Sequence, residues 1–239
     1  MPYELHYWPM IQGRGEFIRL ALEESGADFI DVARRDDEAG GIEPMLVRLS
    51  DPGNPRPPFA PPFLRDGDVV IGQTAAILIY LGPRLGLVGE AERDRIWTHQ
   101  LQLTIADAVD EAHDTHHPVG VDLWYADQRP EAQRRAKGFR ESRMPKFLGY
   151  FERVLAANGG ERLVGPSLSY ADLSLFQLVD GLRYAFPKAS AAALRDAPHV
   201  ARLHAAVARR PRIAAYLASE RRIPFNEDGI FRHYPELDA

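Results

Sequence analysis

Apolar and polar positions follow two different rhythms along this chain, and the change comes near residue 83. Residues 3–8 (Tyr-Glu-Leu-His-Tyr-Trp) are β-prone and stop at Pro9, which predicts a strand. Over 15–26 the apolar residues Phe17, Ile18, Ala21 and Leu22 recur at helical spacing, and Gly26 supplies the stop. Phe29, Ile30 and Val32 predict a short second strand. A strand, a helix and a strand form a βαβ unit whose strands run parallel. Residues 34–62 are irregular, with a short helix around Met45 to Leu49. The six prolines between Pro52 and Pro62 exclude a helix or a central strand there. Phe63-Leu64 and Val69-Val70-Ile71 flank an Asp66-Gly67 pair, the pattern of a hairpin. An apolar helix is then predicted over 73–81, ended by Gly82-Pro83.

Beyond Pro83 the strand signals stop. A long helical pattern covers 90–117 and is halted by Pro118. Another covers 130–157, with Pro130 in its first turn and Pro145 predicting a kink or break. Helical patterns over 169–186, 191–195, 198–209 and 211–219 follow. Ser169-x-x-Asp172 before an apolar run is a capping-box signal, with Asp in place of the usual Glu; its role is structural. The tail from 221 is polar and aromatic without a helical period. The first eighty residues thus run β-α-β, irregular, β-β-α, close to the thioredoxin arrangement. The expected architecture is a thioredoxin-like α/β N-terminal domain over 1–83, an all-α C-terminal domain over 84–220 and a tail over 221–239.

Composition narrows the chemistry. At 239 residues, 45% hydrophobic and 26% charged, the chain is of globular type rather than disordered, collagenous or rod-like. A net charge of −5 gives it no pull toward nucleic acid or anionic lipid, so neither is an expected partner. There is no cysteine, which excludes disulfides, thiolate metal sites and a cysteine nucleophile. Any thiol chemistry must use a thiol carried by a ligand. The start reads unlike a signal peptide, and the longest uncharged stretch, 69–83, is too short to span a bilayer. A cytoplasmic protein is expected.

Several motifs in a fixed order carry a family resemblance. Tyr7-Trp8-Pro9, then Gly13-Arg14-Gly15-Glu16 and Ile18-Arg19-Leu20, are followed by Pro62, Asp66-Gly67 and Gln73-Thr74-Ala75-Ala76-Ile77 through Tyr80-Leu81. Gly165 with Ser169-Tyr170-Ala171-Asp172, then Pro198-x-Val200, Arg210-Pro211 and Tyr216-Leu217, complete the series. Each is weak alone. Together they resemble the cytosolic glutathione S-transferase family, tyrosine-type (alpha/pi/sigma-like), over most of 3–219 except about 34–58.

The resemblance implies a glutathione transferase that joins glutathione, as co-substrate, to a small electrophile, in a detoxification role and as a homodimer. A free thiol has a pKa of about 8.5. A hydroxyl donor to the thiolate contributes roughly 1.5–3 kcal/mol, about one to two pKa units, enough to make it a major species at neutral pH. Tyr7 sits where the family places that donor; an ordinary half-buried strand tyrosine is the plainer account. Gln73 and Thr74 open a helix whose free N–H groups suit the γ-glutamyl carboxylate, although a simple helix cap uses the same residues. Arg14 is placed to reach that carboxylate, unless it is only a solvated arginine. Asp107 is the expected partner of the glutathione amine. Trp8, Met10, His113 and His117 are expected at the electrophile site.

Two departures stand out. The family spacing makes Pro62 the cis-proline and Pro61 the residue that pairs with the cysteinyl part of glutathione, yet proline has no N–H. Either that clamp is halved, or the register differs and Ala60-Pro61 is the functional pair. The segment 34–58 also lacks the lysine many members place near the glycine carboxylate, leaving Arg34, Arg35, Arg48 or Arg56 as substitutes. Spacings of three and four put Asp110, His113 and His117 on one helical face, a pattern that can bind a divalent metal but also suits a helix C-terminus. No metal is expected. The rival readings are a glutathione or ligand binder without useful catalysis, and a protein-interaction module that keeps only the fold.

Overall fold

The computed structural model describes residues 1–37 and 40–239. Its first half contains β1 (Tyr3–His6), α1 (Gly15–Ser25), β2 (Phe29–Asp31), α2 (Glu43–Ser50), β3 (Phe63–Asp66), β4 (Val69–Gly72) and α3 (Thr74–Arg84). The strands form one sheet in the order β2-β1-β3-β4. β1 and β2 are parallel, with Tyr3 opposite Phe29, as a βαβ unit requires. β3 lies antiparallel to both β1 and β4, and the hairpin closes beside Gly67. Gly26 ends α1 in the left-handed region at φ +67°, a conformation glycine adopts at no steric cost. Leu5, Ile18, Leu22, Leu64, Ile77 and Leu81 fill the space between the sheet and helices α1 and α3.

The second half is helical among the described residues: α4 (Glu92–His113), α5 (Arg129–Gly138), α6 (Met144–Ala157), α7 (Tyr170–Ala185), α8 (Pro187–Arg195), α9 (Pro198–Ala208) and α10 (Pro211–Leu217). α7 is buried on almost every side and forms the axis of the larger core. Phe17, Leu20 and Ala21 of α1 and Leu78 of α3 enter that core too, so these two helices face the sheet on one side and the helical half on the other. No helix is long and apolar enough to cross a membrane among the described residues.

Four predicted helices change, each at a proline or next to one; the helix expected over 191–195 begins four residues earlier, at Pro187, which suits a first turn. The helix expected over 90–117 stops at His113. Thr115 and His116 donate three residues back, to Ala112 and His113, which tightens the chain into a turn before Pro118. The helix expected to end at Gly82-Pro83 continues to Arg84, because a proline in the last turn removes a single backbone bond. The kink expected from Pro145 is a π-helical turn over Phe139–Arg143, which re-spaces the backbone ahead of the missing N–H. The first strand is also shorter than expected, ending at His6, so Tyr7 and Trp8 belong to the loop that follows.

Candidate active site

The loop from Tyr7 to Arg14 joins β1 to α1. Tyr7 is 4% exposed, and its ring lies against Gly13 and Gly15. A Cβ on Gly15 would stand 2.5 Å from the ring, and one on Gly13 would overlap the hydroxyl. Gly13 also has φ +45°, which a side chain would disfavour. The Arg14 backbone N–H donates to the Tyr7 hydroxyl at 2.9 Å. That bond occupies one lone pair and leaves the phenolic O–H without an acceptor among the described residues. Burial raises the phenol's pKa above the ordinary tyrosine value, opposed by the Arg14 N–H and by the Arg14 and Arg19 charges. Tyr7 is therefore a neutral phenol at pH 7, with a proton to donate.

Arg14 links this loop to two helices. Its carbonyl accepts from the Thr74 hydroxyl at 3.3 Å, and its guanidinium pairs with Asp110 on α4. Gln73 caps α3 with φ +67° and ψ +119°, unusual for a residue with a side chain and costing about 1–3 kcal/mol. Its side chain is exposed, beside the free N–H groups of the first turn of α3. Arg14, Gln73, Thr74 and Asp110 all line a cavity of about 410 Å³ between α3 and α4, a size suited to a small molecule. Its floor is apolar, with Phe17, Ile79, Leu103 and Val109. Asp107 is exposed on α4 and is not part of that lining. The Pro61–Pro62 bond is cis, the register favoured from the sequence, and Pro61 offers a carbonyl alone. Of the four candidate arginines, Arg34 donates to the carbonyls of Arg221 and Glu220, and Arg35 pairs with Asp37.

Trp8 and Met10, 38% and 69% exposed, project from the loop beyond Tyr7. The Met10 carbonyl accepts from Asn226 of the tail at 2.8 Å. His113 stacks on His117 at 5.1 Å, and His116 stands edge-on to both. Asp110, expected on a shared face with His113 and His117, is instead held by Arg14, and His117 lies past the helix end. Burial lowers all three imidazole pKa values, that of His113 to about 4 and that of His116 to about 2, with the Arg232 charge adding to the effect. The three rings are neutral at pH 7.

Sequence reasoning missed what holds the loop in place. Gln12 donates to the Ile223 carbonyl at 2.5 Å and accepts from Gln177 of α7 at 2.8 Å. Glu16, fully buried at the start of α1, accepts from the Tyr216 hydroxyl at 2.7 Å and pairs with Arg19 and Arg222. Arg222 also reaches Asp180 at 3.0 Å and Gln177 at 3.1 Å. The Gly-Arg-Gly run after the strand was a readable sign of close packing. The partners from α7 and the tail are more than 160 residues away and left no local trace.

Known proteins share this fold. The family model described as "Glutathione S-transferase, C-terminal domain" matches residues 113–220. Glutathione S-transferase P 2 of Bufo bufo is 30% identical over 232 residues, covering 95% of this chain and 98% of that protein. Glutathione S-transferase P of Bos taurus is 27% identical over 234 residues, with 95% and 98% covered. The solved structure of the Onchocerca volvulus pi-class glutathione S-transferase superposes with a TM-score of 0.72 at 26% identity, covering 96% of this chain and 99% of that one. Likeness at this level over nearly the whole length, on a shared fold, makes the chain a member of the glutathione S-transferase family.

Proposed function

We propose that the protein joins the thiolate of glutathione to an electrophilic small molecule, with Tyr7 as the donor that stabilises the thiolate. The observation that carries this reading is the Tyr7 hydroxyl: buried, neutral, accepting from the Arg14 N–H and with its own proton uncommitted. A charge-assisted bond from that proton to sulfur contributes roughly 1.5–3 kcal/mol and lowers the thiol pKa by about one to two units. The thiolate then attacks the electrophilic carbon, a C–S bond forms, and the leaving group departs with its electron pair. Gln73, Thr74 and the first N–H groups of α3 hold the γ-glutamyl carboxylate, with Arg14 as the neighbouring cation. The Pro61 carbonyl takes the cysteinyl N–H, Asp107 takes the amine, and Trp8, Met10, His113 and His117 border the electrophile. The bound form is a homodimer acting in the cytoplasm.

Replacing Tyr7 with Phe tests this. With a chloro-nitro aromatic as electrophile and chloride as leaving group, Tyr7→Phe is expected to lower kcat/KM about 10- to 150-fold. The apparent pKa of its pH–rate profile should rise by about one to two units toward that of the free thiol. Retention on a glutathione matrix should persist. A variant with the parent's rate and an unmoved profile removes Tyr7 from the role. Retention without turnover in the parent favours the non-catalytic binder.

A further inference from the structure

The end of α4 gathers three histidines, His113, His116 and His117, with one ring nitrogen of each lying within 4.8 Å of the other two. Their backbone is fixed. His116 N–H donates to the His113 carbonyl at 3.2 Å, and the Thr115 hydroxyl donates to the Ala112 carbonyl at 2.7 Å. His116 is 1% exposed, and its Nε2 lies 2.7 Å from the Ile230 carbonyl, which can only accept. Nε2 therefore carries the proton of the neutral ring, and Nδ1 keeps its lone pair. Nδ1 is turned onto Nδ1 of His117. A carbonyl that fixes one imidazole nitrogen as donor, leaving the other as a lone-pair acceptor that faces His117, is the support that metal-bound histidines have.

The electrostatics divide. The cluster sits at the C-terminal end of a 22-residue helix, whose partial negative charge favours a cation. The Asp110 carboxylate lies one turn away, and its charge acts on His113. Arg14 and Arg232 oppose this, but each is engaged: Arg14 with Asp110, and Arg232 with the Gly229 carbonyl at 2.8 Å and the Asp228 carbonyl at 3.2 Å.

We propose that His113, His116 and His117 form a three-histidine site for a divalent transition-metal ion, zinc foremost, with a further coordination position open. An all-imidazole set suits zinc, copper or nickel, whereas calcium and magnesium need oxygen ligands. Zinc–nitrogen bonds of about 2.0–2.1 Å in a tetrahedral site put ligand nitrogens about 3.3 Å apart. The donor nitrogens must shift by about 1.5 Å at most to reach that spacing, the widest pair closing and the His116–His117 Nδ1 pair opening. Rotation of the partly exposed His113 and His117 rings supplies this, while buried His116 stays fixed. The site shares His113 and His117 with the proposed electrophile wall, but zinc binding by the chain does not depend on that reading.

The test is a zinc titration of the full chain, free of any affinity tag and stripped with a chelator, against a chromophoric competitor. One zinc per chain is expected, together with the visible bands of tetrahedral nitrogen coordination when cobalt replaces zinc. His117→Ala should weaken zinc at least about tenfold, and His113→Ala with His117→Ala should abolish the cobalt bands. These side chains are partly exposed, and circular dichroism checks that the variants fold. His199→Ala, at a histidine paired with Glu152 elsewhere, should bind zinc as the parent does. A folded double variant that binds zinc as tightly as the parent, or a parent that binds less than one zinc per chain, overturns the proposal.

Discussion

Tyr7 can serve as a donor only while its ring keeps its place, and two residues without side chains make that place. Gly15 is the first residue of α1, where alanine would ordinarily favour the helix by about 1 kcal/mol. Here its Cβ would fall 2.5 Å from the Tyr7 ring, so the ring must move. Gly15→Ala is therefore expected to keep the helical circular dichroism and to lower kcat/KM about 100-fold, the usual cost of displacing a reacting group by about 1 Å. Parent-like turnover would mean that the loop yields rather than the ring. Tyr7 and the Gln73-Thr74 pair were legible because their chemistry sits in short motifs. The Arg14–Asp110 pair was not: the residues lie 96 apart, and from sequence alone Asp110 grouped as readily with the histidines that follow it.

Among the elements, helix starts marked by a cap or a first-turn proline were easier to read than helix ends, with the start of α8, four residues ahead of its expected place, the exception. Ser169 and Asp172 form the box their spacing announces. The Asp172 N–H donates to the Ser169 hydroxyl at 3.3 Å, and the Ser169 N–H donates to the Asp172 carboxylate at 2.7 Å. The carboxylate also accepts from the Leu163 N–H at 2.8 Å, so the box ties the preceding loop to α7. Burial raises the Asp172 pKa, against those hydrogen bonds, so each bond it receives matters. Ser169→Ala should cost about 0.5–2 kcal/mol, read as a lower urea midpoint with an unchanged slope, while glutathione retention persists. An unchanged midpoint would show α7 held by packing alone. Helix ends misled because a proline marks where a helix cannot continue, and the chain can leave it earlier, as after His113, or carry one proline in its last turn, as at Pro83.

At the scale of the whole molecule, buried ions join the halves. Glu16 has no exposed surface, and Arg222 is one of the two cations it pairs with. Arg222→Met removes one partner of a buried carboxylate and should cost about 3–5 kcal/mol of stability, measured by urea unfolding. A loss below about 1 kcal/mol would mean that Arg19 and Tyr216 suffice for Glu16. Assembly has its own test. Ile79 and Leu103, 42% and 46% exposed, lie on α3 and α4 beside the cavity. If two chains meet there, light scattering should give twice the 26.8 kDa of one chain, and Leu103→Glu should shift the mass toward one chain. A parent with the mass of one chain at every concentration ends the dimer reading. The two-part architecture was legible in the change of rhythm near residue 83. The tail's part in it was not, because irregular segments are held by bonds that leave no period.

Those tail bonds also bear on when the protein becomes competent. The loop from Tyr7 to Arg14 precedes its braces by more than 200 residues, with Gln12 held by Ile223 and Met10 by Asn226. The sheet and α1 can form while synthesis proceeds, but the loop reaches its final shape only once residues 223–226 have been made and have docked. A chain cut short before Ile223 therefore carries Tyr7 without this bracing.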